Sequence, residues 1–373
     1  MIHRVTAMGE MTSLAERKRR SGQRLIIGLS GTHVTDDERI LIKEVRPAGF
    51  ILFARNVEEP KQVMELNREL TSLLPPELPP ICSVDQEGGR VQRVKDGATI
   101  FPPLRWVGNC DDDTLLRDHA RALAAEVKTL GFHLNWAPVA DVDSNPDNPI
   151  IGDRSFGNDA EKVAKSVHNW IIETQNSGVM AAAKHFPGHG DTSQDSHLTL
   201  PTVDKDTGDI AEVELRPFRA AVRANVAAIM TAHVMFPCFD EKWPATLSTR
   251  ILIDILRKEM NYNGLIVTDD LEMKAVAGRF DLETQLQQAC SATVDLFLAC
   301  KSPLLQMQCY EGLIHLQEEE PVRQVRLAEQ SEKRLKAARE RFMKKVAPKP
   351  DFSVLNCNDH RDLVTMIRAR GGE

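Results

Sequence analysis

The sequence predicts an α/β fold: a single (β/α)8 TIM-like barrel with a C-terminal helical extension. Three observations lead there. Eight short apolar runs recur at 24–29, 49–53, 80–84, 133–137, 179–183, 227–231, 264–268 and 294–298, and helical patterns separate them. Strands alternating with helices make βαβ units and a parallel sheet. Eight such units in one stretch match a closed barrel, whose usual size is about 250 residues. Lastly, polar residues gather after at least five of the runs, as they do at the carboxyl ends of barrel strands.

Residues 1–22 read as a polar leader, with a helix starting near Thr12-Ser13. Arg19-Arg20 ahead of Leu25-Ile26-Ile27-Gly28-Leu29 faintly resembles a twin-arginine export signal. The apolar part is shorter than an h-region of about 7–15 residues. The barrel is assigned to 23–345 and a C-terminal tail to 346–373. Helical periodicity covers 112–130, 160–177, 209–225 and 248–259, and Gly131 follows the first of these as a C-cap would. The charged stretch 318–345 reads as a solvated outer helix. The tail is weakly patterned, so docking and disorder both remain open for it.

The chain has 373 residues, with 42% hydrophobic and 27% charged, and a formal net charge of −7. That describes a soluble globular protein, and the acidic balance argues against a nucleic-acid partner. No apolar run approaches the roughly 18 residues of a membrane span. The seven cysteines show no Cys-x-x-Cys spacing. Reduced thiols in a cytoplasmic protein are the simplest account of them.

The densest chemistry lies in Lys184-His185-Phe186-Pro187-Gly188-His189-Gly190-Asp191-Thr192-Ser193-Gln194-Asp195-Ser196-His197. Pro187, Gly188 and Gly190 are incompatible with a helix, so the run reads as a loop after a buried strand. Turn chemistry would explain any three of these residues, but a structural turn needs neither Lys184 nor three imidazoles. His185 and His189 stand four apart, a metal-ligand spacing on a helix. The intervening Pro and Gly remove that helix, and no metal or other cofactor is expected. No Gly-x-Gly-x-x-Gly or Walker motif is present.

Asp269 and Asp270 follow the seventh run directly. Neighbouring strand residues point to opposite sides, so one carboxylate can enter the barrel mouth. Asp270 reads as a cap of the next helix. Asp269, with Arg154 or Lys184 nearby, would stay ionised, as a carboxylate nucleophile must. Asp195 lies two residues before His197 and can bond one ring nitrogen, leaving the other for acid/base work. A carboxylate nucleophile with a histidine acid/base suits two-step glycoside hydrolysis, as a variant of the usual carboxyl pair.

These residues resemble the family-three glycoside hydrolases, specifically the single-domain bacterial β-N-acetylhexosaminidases. The matching pieces are Ile51–Asn56, Val84–Arg93, Asn135–Asp143, Gly152–Gly157, Lys184–His197 and Val267–Met273. The resemblance covers residues 24–300. It implies a retaining mechanism without metal, with Asp269 as nucleophile, His197 as acid/base on a mobile loop and Asp195 as its partner. It assigns Asp85, Arg93, Arg154, Lys184 and His185 to the sugar hydroxyls. It further implies a cytoplasmic enzyme that removes non-reducing N-acetylglucosamine from peptidoglycan-derived muropeptides, with neither nucleic acid nor membrane as partner. Related β-glucosidases take their acid/base from a second domain, so the local Asp-Ser-His favours N-acetylglucosaminides.

Three alternatives compete with this reading. A phosphorylase would use the same intermediate with phosphate in place of water. A sugar-binding protein on a degenerate barrel would lack Asp269 or His197. A metal-dependent hydrolase would use His185, His189 and Asp191.

Overall fold

The computed structural model describes residues 13–193, 200–343 and 350–372. Eight parallel strands close into a barrel: β1 (Leu25–Gly28), β2 (Gly49–Leu52), β3 (Ile81–Val84), β4 (Leu134–Asn135), β5 (Met180–Phe186), β6 (Ala228–Thr231), β7 (Leu265–Asp270) and β8 (Leu296–Ala299). Closure comes from β1, which pairs with both neighbours; Ile26 stands opposite Gly49 and Leu25 opposite Phe297. The (β/α)8 barrel expected from the alternating runs is therefore the fold.

Helices follow the strands and pack outside them. They include α1 (Leu14–Gly22) ahead of the barrel, α2 (Asp36–Val45), α3 (Pro60–Ser72), α4 (Asp113–Thr129), α5 (Ala160–Asn176) and α6 (Leu215–Arg223). A π-helix spans Arg250–Glu259, and α7 (Leu282–Ser291) and α8 (Pro303–Glu319) complete the ring. Several starts have a local cause. Thr35 and Glu38 form a capping box on α2, Asp112 caps α4 and Asp159 caps α5; such caps satisfy the free N–H groups of a first turn. The predicted helix 209–225 is split into Thr207–Glu212 and α6. Pro217 sits in the first turn of α6, where its missing N–H costs nothing, and further back it would break a continuous helix.

Two strand ends differ from expectation in ways that matter for the site. β5 runs three residues beyond Ala183, so Lys184, His185 and Phe186 lie on the strand and not in a loop. Backbone pairing causes this: Ala140 N–H donates to the Lys184 carbonyl at 2.7 Å, and Ala232 N–H to that of Phe186 at 2.7 Å. β7 likewise carries Asp269 and Asp270 as its last residues.

The stretch 318–345 is no solvated outer helix. It breaks at Pro321, and α9 (Pro321–Phe342) lies across the amino end of the barrel. There Leu335 and Ala338 join the barrel interior, a cluster that includes Ile26, Ile81, Trp136 and Val267. Arg334 of α9 reaches the fully buried Asp295 at 2.9 Å, and Arg257 reaches it at 2.7 Å. Pairing and hydrogen bonds are what let a carboxylate sit at such depth. With one end filled by α9, the carboxyl end remains open to a ligand.

Helix α1 begins at its cap Ser13, close to the predicted start, and Arg19 and Arg20 pair with Glu332 and Glu329 of α9. Chain beyond 350 docks: α10 (Asn358–Gly371) buries Leu363 and Ile367 in the main core. Glu126 of α4 receives the Asn356 N–H and the His360 ring at 2.9 and 2.8 Å. Among the described residues no helix is long and apolar enough to cross a membrane.

Candidate active site

The carboxyl ends of the strands surround a cavity of about 410 Å³. Asp85, Arg93, Arg154, Lys184, His185 and Asp269 all line it. The structure thus brings together six of the eight residues singled out from the sequence. Asp195 and His197 lie outside the described residues.

Asp85 follows β3 directly. Beyond it a hairpin of Gln86–Gly88 and Val91–Gln92 turns the chain back and returns Arg93 to the cavity. The turn needs glycine at position 88: φ is +101°, and a Cβ there would stand 2.3 Å from the Pro102 carbonyl oxygen. Arg93 donates to Asp85 at 3.3 Å and lies over the Phe53 ring, 5.6 Å from its centroid.

Glu87, which was assigned no role from the sequence, is the hub of this wall. Its carboxylate accepts a two-pronged bond from Arg154, both contacts at 2.9 Å, and one from Lys184 Nζ at 2.6 Å. Lys184 also donates to Asp85 at 2.8 Å. Side-chain exposure is 1% for Glu87 and 3% for Lys184, so these charges have left water. Burial would raise the Glu87 pKa, but Arg154 and Lys184 hold it well below the usual carboxylate range. The same pairing raises Arg154 further against the pull of burial. One alternating step along the hairpin puts Glu87 on the face of Asp85, and that period-2 relation was readable.

On the opposite side, β7 presents Asp269 near two histidines. Burial acts to raise its pKa. The fields of His185 and His233, the Asp270 N–H bond and Lys184 outweigh that and hold it below the ordinary value. The bond from Asp270 N–H to Asp269 Oδ1 is 2.8 Å. Arg154 was expected to help here, but it is committed to Glu87. Asp270 does not cap the next helix, whose N-cap is Met273. Its carboxylate accepts from the Glu272 and Cys300 N–H groups at 3.2 and 3.3 Å, tying β7 to the loop after β8. Burial, and then the nearby Glu272 and Asp269 charges, push Asp270 up to about 6.

His233 follows β6. Its Nδ1 is 2.8 Å from Thr246 Oγ1 and its Nε2 3.2 Å from the Asp270 carbonyl oxygen. Burial lowers its pKa. His185 Nδ1 lies 2.8 Å from Asp141, and His189 Nδ1 lies 2.9 Å from Thr192 Oγ1. Asp191 pairs with Lys205 at 2.9 Å. The three groups of the metal-dependent reading therefore have three separate partners, and among the described residues no cluster of metal-ligating side chains is found. The start of the loop after β5 is clamped by Asn148, whose amide donates to the His189 and Gly190 carbonyls at 2.8 and 3.0 Å.

Chemically, the cavity sets the Asp269 carboxylate across from a wall of fixed donors and acceptors, with apolar lining residues that include Ile51, Met230 and Leu298. Neutral, hydroxyl-rich ligands suit such a lining.

Known proteins are similar to this chain over most of its length. The model of the glycosyl hydrolase family 3 N-terminal domain matches residues 13–337. A β-hexosaminidase of Nitrosomonas eutropha is 37% identical over 285 residues, covering 75% of this chain and 81% of that protein. A family 3 β-N-acetylglucosaminidase structure from Paenibacillus sp. str. FPU-7 superposes with a TM-score of 0.88 at 36% identity, over 95% of this chain and 68% of that one. NagZ from Neisseria gonorrhoeae, solved in complex with N-trifluoroacetyl-D-glucosamine, gives 0.77 at 27% identity, over 94% and 98%.

Proposed function

The chain belongs to glycosyl hydrolase family 3 and is a glycoside hydrolase, and from that premise we propose that it is a retaining exo-β-N-acetylglucosaminidase. Its substrates are peptidoglycan-derived fragments ending in a non-reducing N-acetylglucosamine. The observation that carries the reading is Asp269, a cavity-lining carboxylate kept ionised against its own desolvation.

In the first step the Asp269 carboxylate attacks the anomeric carbon as the glycosidic C–O bond breaks. His197, oriented by Asp195, gives its proton to the leaving oxygen. The result is a covalent glycosyl-enzyme. In the second step His197 takes a proton from water, whose oxygen replaces Asp269, and the sugar leaves with its starting β configuration. Asp85, Arg93, Arg154, Lys184 and His185 hold the hydroxyls, so that the sugar is bound in a reactive pose. The fixed charges around them need little reorganisation as charge develops.

Support for the N-acetylglucosaminide comes from the names of the relatives, and support for the peptidoglycan-derived aglycone from the sequence resemblance. Seven free thiols, five of them buried, are consistent with our placing the enzyme in the cytoplasm.

The test is hydrolysis of an aryl β-N-acetylglucosaminide beside the matching β-glucoside, for the wild type and Asp269→Ala, without added metal. Turnover of the first substrate alone, lost in the variant and giving the β anomer first by NMR, is expected. First-formed α anomer would overturn the retaining mechanism, and a sugar phosphate as main product in phosphate buffer would overturn hydrolysis. A muropeptide cleaved no better than chitobiose would remove the peptidoglycan assignment.

A further inference from the structure

We propose that Asp141 is a positioning residue of this site, a buried carboxylate that dictates which ring nitrogen of His185 faces the sugar. Through Oδ1 it also anchors the turn at His189. The inference rests on the reading of His185 as a sugar contact.

Asp141 lies in the segment after β4 and is wholly shielded from solvent. Its backbone is fixed on both sides: Ser155 Oγ donates to its carbonyl at 2.6 Å, and the adjacent Ala140 N–H donates to Lys184. The side chain points at the end of β5. Oδ1 accepts from the His189 N–H at 2.7 Å and the His185 N–H at 3.1 Å. Oδ2 lies 3.2 Å from the same His185 N–H and 2.8 Å from His185 Nδ1.

Backbone N–H groups can only donate, so both carboxylate oxygens act as acceptors here. The ring nitrogen facing Oδ2 must then be the one that carries hydrogen. Nδ1–H toward Asp141 leaves Nε2 turned to the cavity, which His185 lines beside Asp269. In the neutral ring Nε2 is an acceptor, and a sugar hydroxyl meeting it must donate. The His189 imidazole packs edge to face against this ring at 5.8 Å and 72°. Because one carboxylate holds both the His185 ring and the His189 amide, the sugar contact and the root of the following loop share a single anchor.

Asp141→Asn separates this role from bulk packing. An amide of the same shape must present its NH2 to one of the three donors. If that is His185 Nδ1, the ring must reverse its tautomer to accept. If it is the His189 N–H, the turn loses its anchor.

Two measurements test the assignment. In 15N-labelled wild type near pH 8, long-range 1H–15N correlation, assigned with His185→Gln, should show His185 as the Nδ1–H form. An Nε2–H ring would overturn the proposal without any need for the Asp141 variant to fold. On an aryl β-N-acetylglucosaminide, Asp141→Asn should lower kcat/KM by roughly 10²-fold, the scale of a misplaced binding group. His185→Gln should cost a similar factor, and the double variant should lose no more than the worse single one. Losses that multiply would show that Asp141 does not act through His185. A wild type that shows the Nδ1–H ring and hydrolyses no glycoside would sink the proposed function while leaving the Asp141–His185 geometry intact, so the two failures are distinguishable.

Discussion

Glu87→Gln isolates the electrostatics of the sugar-binding wall. The substitution keeps the shape of the side chain and removes the charge that Lys184 and Arg154 share. Lys184 keeps Asp85, whereas Arg154 loses its two-pronged partner. Removing one partner of a buried ion pair typically costs about 3–5 kcal/mol, because the remaining charge stays desolvated. An unfolding entropy of about 2.1 cal/mol/K per residue, over 373 residues, comes to about 0.8 kcal/mol/K. The expected loss in Tm at pH 7 is therefore about 4–6 °C. The carboxyl is held below its ordinary pKa, so its stabilisation is complete above the unfolded value of about 4.3 and is lost as pH falls towards the folded one. Thermal unfolding followed by circular dichroism at pH 7 and near pH 3 should show the gap between wild type and variant narrowing at the lower pH. A gap that is equal at both pH values would refute the ion-pair reasoning, as would a variant that melts with the wild type at pH 7. KM for an aryl β-N-acetylglucosaminide should rise alongside, since Lys184 and Arg154 lose their common support.

Other outcomes follow from the same site. Asp269 is held below the ordinary carboxylate value of about 3.9, so the acid limb of kcat/KM should lie below it; a limb near 6 that Asp270→Asn abolishes would transfer the role to Asp270. Asp270 itself is raised to about 6, so the folded state keeps a proton that the unfolded chain releases, and stability falls as pH rises through that interval. Asp270→Asn should thus gain in Tm relative to wild type between pH 4 and pH 7, and a constant difference would contradict the shift. His197→Ala should slow release of poor leaving groups far more than activated aryl ones, because only poor leaving groups need a proton; equal losses in the first step would make His197 a positioning group.

Much of the site was legible because its residues sit at strand ends, where the period of two and the barrel rule place them together. Asp85, Lys184 and Asp269 each follow or end a run of apolar residues, and parallel strands deliver such ends to one face. Glu87 was legible in principle from its alternation with Asp85. Asp141 was not, since nothing near it in the chain indicates that its carboxylate would meet His185, 44 residues later. The reading of 318–345 as a solvated helix failed for a related reason. Its charges are real, but Arg334 has a buried partner in Asp295 and Leu335 has the barrel interior.

By itself the sequence determined the barrel, the face that carries the chemistry and the family to which that chemistry belongs. Apolar runs, turn residues and motif order are local properties, written wherever the chain is cut. Only the tertiary structure decided that β5 extends through His185, that Arg154 serves Glu87 and leaves Asp269 to the histidines, and that Asp270 braces the loop after β8. Those outcomes depend on which donors and charges meet across the barrel mouth. Coulomb energy and hydrogen bonding act through distance in space, and only the folded chain sets that distance.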